Sequence, residues 1–142
     1  MEISEVRKRV LETLDRAKRS AAERRARGDE AAREYDVFLS QVAVPLFRQI
    51  ASALRPESYQ FTVFTPGGSV RLMSDRSPED YIELSLDTSG PLPQVIGHVS
   101  RARGRRVRES ETPIGEGRPV GELREQDVLE FVLRELEPFV ER

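Results

Sequence analysis

Arg27-Gly28-Asp29-Glu30 decides how the N-terminal third of this chain folds, because apolar residues at helical spacing lead up to it and away from it. Before it, Ile3, Val6, Val10, Leu14, Ala17 and Ala21 recur at steps of three and four, which places them in one narrow stripe on a helix. After it, Tyr35, Phe38, Leu39, Val42, Leu46, Phe47, Ile50 and Leu54 repeat the pattern with bulkier side chains and a wider apolar face. Glycine commonly follows a helix end and aspartate is a favoured N-cap, so the favoured reading ends one helix at Gly28 and starts a second just after it. That makes an antiparallel helical hairpin with arms of about 25 residues, each about 37 Å long. The alternative is one long helix. A single internal glycine costs only about 1 kcal/mol, and the three-four spacing stays in phase through Gly28, Ala31, Tyr35 and Phe38. So long a helix with so thin a stripe needs a partner chain, and self-association is the expectation attached to that alternative.

Further along this region, Pro45 removes a backbone donor and leaves the carbonyl of Gln41 without its helical partner, which predicts a kink near Val44. Arg55-Pro56-Glu57 ends the helical pattern, and from Ser58 the apolar period changes to two. Five strands follow: Tyr59–Phe64; Ser69–Ser74 after the turn Thr65-Pro66-Gly67-Gly68; Tyr81–Asp87; Gln94–Arg101; and a polar edge strand Arg105–Thr112. In the third strand Ile82, Leu84 and Leu86 alternate with Tyr81, Glu83 and Ser85, the signature of a sheet with one buried and one wetter face. A Gly/Pro-rich connector over 113–121 leads to a last helix, whose apolar face is Val128, Leu129, Val132, Leu133 and Leu136 and which packs on the sheet. The expected class is α+β: a long helical hairpin or one long helix, a five-stranded antiparallel meander, and a C-terminal helix. The expected division is a helical region over 1–55 and a small sheet-and-helix unit over 56–142.

A chain of 142 residues has room for one modest core and none for two catalytic domains. Lys and Arg number 23 against 25 Asp and Glu, a net charge of -2, so only local charge argues for a nucleic-acid partner. Cysteine is absent, which excludes disulfides, thiolate metal sites and cysteine nucleophiles. The charged N-terminus does not read as a signal peptide and no run of 18 consecutive apolar residues occurs, so the expectation is a cytoplasmic protein with no membrane partner.

The strongest cluster with a chemistry of its own is Arg101, Arg103, Arg105, Arg106 and Arg108, gathered around one predicted β-turn. Guanidinium forks bind phosphate and carboxylate, and a basic hairpin can enter a nucleic-acid groove. Against that stands edge protection: exposed edge strands are commonly charged, and Glu109 and Glu111 follow closely enough in sequence to neutralise part of the cluster. Protection takes precedence here, and the absence of aromatics from the segment argues further against single-strand binding. His98, the only histidine, reads as structural. Asp75, Glu79, Asp80, Glu83 and Asp87 match no cation-binding loop and read as solvated surface. Gly115-Glu116-Gly117 has the wrong spacing and setting for a phosphate loop.

The expected function is therefore non-enzymatic, with no cofactor and no metal: an adaptor or assembly subunit binding itself, as a homodimer, or a protein partner through its helical region. Val42, Leu46, Phe47 and Ile50 are the expected partner-binding residues, because apolar side chains there, with Val44, Phe131 and Phe139, exceed what single stripes require. The alternative is a nucleic-acid or anion-binding module centred on the arginine hairpin 101–108.

Overall fold

The structure, a computed structural model, describes residues 1–141. One helical rod runs from Ile3 to Glu57: α1 (Ile3–Phe38), a π-helical turn (Leu39–Ala43), α2 (Val44–Leu54) and a short 3-10 turn (Arg55–Glu57). The hairpin reading of 27–30 is therefore replaced by the continuous one. Gly28 does not take the left-handed conformation of a helix-ending glycine, and Asp29 and Glu30 simply continue the helix. The physical reason lies downstream: the second half of the rod presses its apolar face against the sheet and the last helix, which leaves no face for the first half to fold back on.

Pro45 acts where the sequence places it, through a widened turn. The Val44 amide donates to the carbonyl of Leu39, five residues back, so the ladder is re-registered just before the proline that cannot donate. The rod ends at Ser58, whose φ of 69° is left-handed, with the amides of Ser58 and Tyr59 donating to the carbonyls of Arg55 and Leu54.

The sheet is an antiparallel meander, β1 (Phe61–Phe64), β2 (Val70–Ser74), β3 (Tyr81–Asp87), β4 (Gln94–Arg103) and β5 (Arg106–Pro113), neighbours in that order. Its inner face carries Val70, Leu72, Ile82, Leu84, Val95 and Val99, all buried, and this is the face the helices cover. α2 lies over β1 and β2, while α3 (Glu125–Glu141) lies over β4 and reaches the π turn of the rod. α3 runs on through Pro138, so Phe139 stays on its apolar face and meets Phe61 edge to face at 6.2 Å. The outer face is mixed: Arg71 and Glu83, paired in register, are bridged at 2.9 Å, with His98 next in the row across β4.

A single core extends from Ala31 to Phe139, so the rod's second half and the sheet share one interior across the boundary expected near residue 55. The rod contains an 18-residue window of mean hydropathy 1.4, apolar enough by length and composition to cross a membrane. In the structure its Phe38, Leu46, Phe47 and Ile50 are buried in that shared core.

Candidate interaction surfaces

Two features project from the body. The first is the N-terminal part of α1. Every residue from Met1 to Ser20 is exposed, and burial begins only at Ala21 and Gly28, where the β3–β4 loop over Thr88, Ser89 and Gly90 comes alongside. The stripe read from the sequence thus splits in two. Ala31, Tyr35 and Phe38 are buried on the body, whereas Ile3, Val10, Leu11 and Leu14 stand 87, 51, 55 and 49% exposed on the same helix. About 18 residues of rod, roughly 27 Å, carry an apolar stripe with nothing against it. A shallow groove between Val6, Arg9, Val10, Thr13 and Leu14 marks its centre.

The residues expected to bind a partner are elsewhere. Leu46, Phe47 and Ile50 are buried in the chain's own core and Val42 is half-buried against it; Phe131 and Phe139 are buried as well. The apolar excess over single stripes at these positions is accounted for because α2 covers β1 and β2 while the π turn just before it meets α3, so the rod is covered from more than one direction there. The unpartnered stripe is the thinner, N-terminal one.

The second feature is the β4–β5 ribbon. Pairing of β3 with β4 stops at Tyr81↔Ser100, but β4 and β5 continue as Arg101↔Arg108, Ala102↔Val107 and Arg103↔Arg106. Three residue pairs, about 10 Å, therefore stand beyond the sheet as a free two-stranded ribbon. Gly104, with φ 64°, and Arg105 make the two-residue turn at its tip. At its base the Ala102 amide, past the last β3 partner, donates to a carboxylate oxygen of buried Asp80 at 2.8 Å, so a side chain extends the ladder by one rung.

Register then sorts the charges. Cross-strand partners share a face, so Arg101, Arg108, Arg103 and Arg106 all lie on one side of the ribbon as two consecutive like-charged pairs. Glu109 and Glu111, expected to neutralise them, pair with Ser100 and His98 and so lie on the opposite face; Glu109 comes within 3.8 Å of the His98 ring instead. Among the described residues none of the five arginines has an ion-pair partner within 4.0 Å. Arg101 has an aromatic neighbour, its guanidinium 5.8 Å from the centre of the Phe139 ring.

The remaining titratable groups do not gather into one site, and His98 Nε2 and Arg71 Nε are buried without a hydrogen-bond partner among the described residues. His98 sits on the sheet's outer face, edge-on to Tyr81 at 5.6 Å. The carboxylates named in the sequence are dispersed: Asp75 accepts from Thr62, Asp80 from Ala102, Glu83 from Ser69 and Arg71, and Asp87 from Ser89. The Ser89 bonds hold the Asp87 carboxyl below the ordinary carboxylate range. Among the described residues no three His, Asp or Glu side chains gather closely enough to hold a metal ion. A cleft of about 710 Å³ lies between the 113–118 loop and α3, and there Arg118 reaches Asp127 at 2.6 Å and the Gly115 carbonyl at 2.8 Å. Gly115, Glu116 and Gly117 all have positive φ, a left-handed turn that brings Arg118 onto that carbonyl. Comparison with known proteins finds no family pattern that the chain matches, and no characterised protein or solved structure of detectable similarity.

Proposed function

We propose that this chain is a non-enzymatic cytoplasmic interaction module that pairs with a second copy of itself through the projecting part of α1. The observation that carries the reading is the split stripe: one continuous apolar line is buried where it meets the body and bare where it leaves it. Such a face is stabilised only by burial against another surface.

Charge and shape both point to a second copy running antiparallel. Along the free rod the charges come in blocks: Glu2 and Glu5, then Arg7, Lys8 and Arg9, then Glu12 and Asp15, then Arg16, Lys18 and Arg19. An antiparallel pair crossing near Val10 sets Glu2 opposite Lys18 and Lys8 opposite Glu12 of the other copy and leaves only Glu5 facing Asp15, while a parallel pair stacks like on like throughout. The same crossing brings Ile3 near Ala17, large beside small, at both ends of the pair, with Val6 near Leu14 between. A parallel pair also drives the two bodies into the same space, since each body lies on the stripe side of the rod from Ala31 onward.

A helix pair of about 27 Å buries less than the roughly 800 Å² per partner of a standard interface, so self-association at about 10–100 μM is expected. Sedimentation of the full chain checks this. Val10→Asp with Leu14→Asp abolishes the dimer without changing the circular dichroism of the body. Because the chain has no cysteine, Ile3→Cys and Ala17→Cys chains can be mixed: the antiparallel pair gives the mixed cross-link in excess over either self cross-link. A strict monomer at about 200 μM, well above the range expected for so small an interface, would sink the reading.

A further inference from the structure

We infer that the projecting β4–β5 ribbon is a polyanion-binding arm whose ligand is the phosphodiester backbone of a duplex nucleic acid. The inference does not depend on the pairing of rods, which concerns the other end of the molecule. Edge protection explains charge on exposed strands, but charge of either sign, or alternating signs, protects equally well. It does not explain why four guanidinium groups share one face while the carboxylates of the same strand take the other. Like charges directly opposite each other oppose folding, and two such pairs in succession persist here with no ion-pair partner within 4.0 Å among the described residues. An external anion removes that conflict.

The geometry selects among polyanions. Cross-strand neighbours stand about 5 Å apart and successive same-face residues about 7 Å apart, so the four forks cover an area suited to adjacent phosphates on one strand. A two-stranded ribbon is also narrow enough to enter the major groove of a duplex. Single-stranded nucleic acid is disfavoured because no aromatic lies on the ribbon for a base to stack on. A membrane surface is disfavoured because the arginine face carries no apolar wedge; the aliphatic Val107 points from the other side with Ala102. Asp80 fixes the ribbon's root, so the arginines are presented by a braced arm.

The test uses the full chain with a fluorescent 20-base-pair duplex in a salt titration. Four phosphate contacts predict a slope of log K against log salt of about −3.6, a loss of roughly 100-fold between about 50 and about 200 mM. Arg103→Gln with Arg106→Gln halves the slope to about −1.8 and weakens binding at low salt, because two contacts remain. Both positions are exposed, and the thermal midpoint of the double variant stays level or rises as like-charge repulsion is relieved. Arg24→Gln with Arg25→Gln, on α1, leaves the slope unchanged. The inference is overturned if the duplex fails to bind at about 50 mM salt, or if the ribbon variant binds with the parent slope. It is overturned equally if binding follows the α1 arginines, or if vesicles containing phosphatidylserine capture the chain while the duplex does not.

Discussion

The ring of Phe131 in α3 lies directly on the backbone of Gly97 in β4, so closely that a Cβ added at 97 would stand 2.2 Å from Phe131 Cζ. Gly97 pairs with Leu84 on the inner face of the sheet, flanked along β4 by buried Val95 and Val99. The missing side chain is the seat for an aromatic one, and it sets how near α3 approaches the sheet. Gly97→Ala is expected to destabilise by about 1–3 kcal/mol through overpacking. Phe131→Ala is expected to cost about 3–5 kcal/mol through the cavity it leaves. Gly97→Ala with Phe131→Ala should cost less than the two single effects added, because the added methyl then enters the space the ring has left. Urea denaturation of the four chains checks this, and strict additivity would show that the two positions do not share one space.

Gly28 gives the cleanest separation of a continuous rod from a hairpin. Its backbone is helical and nothing lies within 4 Å of where a Cβ would be. Gly28→Ala therefore raises stability, by up to about 1 kcal/mol, through lower backbone entropy in the unfolded chain and better helix propensity. In a hairpin with Gly28 at a left-handed helix end the same change would lower stability. The sign of the shift in the unfolding midpoint decides between them.

That case shows where sequence stops being legible. The strands, their order, the edge strand and the covering helix all follow from period-two and period-3.6 patterns, and β3 is read from Tyr81 to Asp87 as found. Gly28 is different, since Gly-Asp is compatible with both a helix end and a helix interior, and what decides is whether any apolar surface remains to fold back on. The same limit governs the docking residues. Leu46, Phe47 and Ile50 have the composition of an interface and of a core alike, and only the sheet's position makes them core. For the ribbon, the five arginines are visible in sequence, but the placement of Glu109 and Glu111 on the other face is a matter of register. A one-residue slip would have put those charges together.

Tyr35 links the rod to the sheet, donating from its hydroxyl to the Leu84 carbonyl at 3.2 Å. Burial, then the Glu83 and Asp36 carboxylates, push its hydroxyl well above the ordinary phenol range. The sign follows from linkage. The folded chain holds this proton at pH values where the unfolded chain, with a phenol near 10, has begun to lose it. The contribution of Tyr35 is therefore complete below about pH 10 and falls as pH rises further. Tyr35→Phe is expected to cost about 1 kcal/mol at neutral pH for the lost hydrogen bond. The difference in midpoint between the two chains should narrow as pH rises from about 10 to about 11. A difference that stays constant there would mean that the hydroxyl titrates alike in both states.

Removing the free rod tests whether it is an interface or a part of the fold. Residues 1 to 20 are exposed and the core begins at Ala31, so a chain starting at Ala21 keeps every buried side chain. It is expected to unfold cooperatively, and at low concentration its midpoint should lie within about 2 °C of the full chain's, a shift corresponding to less than 1 kcal/mol. Concentration then separates the two roles. A copy that binds only the folded state adds stability by mass action, so the full chain's midpoint rises between about 5 and about 200 μM while the shortened chain's stays fixed. If the shortened chain loses its cooperative transition, the first twenty residues belong to the folding unit and the docking role assigned to them fails. If it remains cooperative and the full chain's midpoint does not depend on concentration, the rod is independent of the body but does not pair with itself.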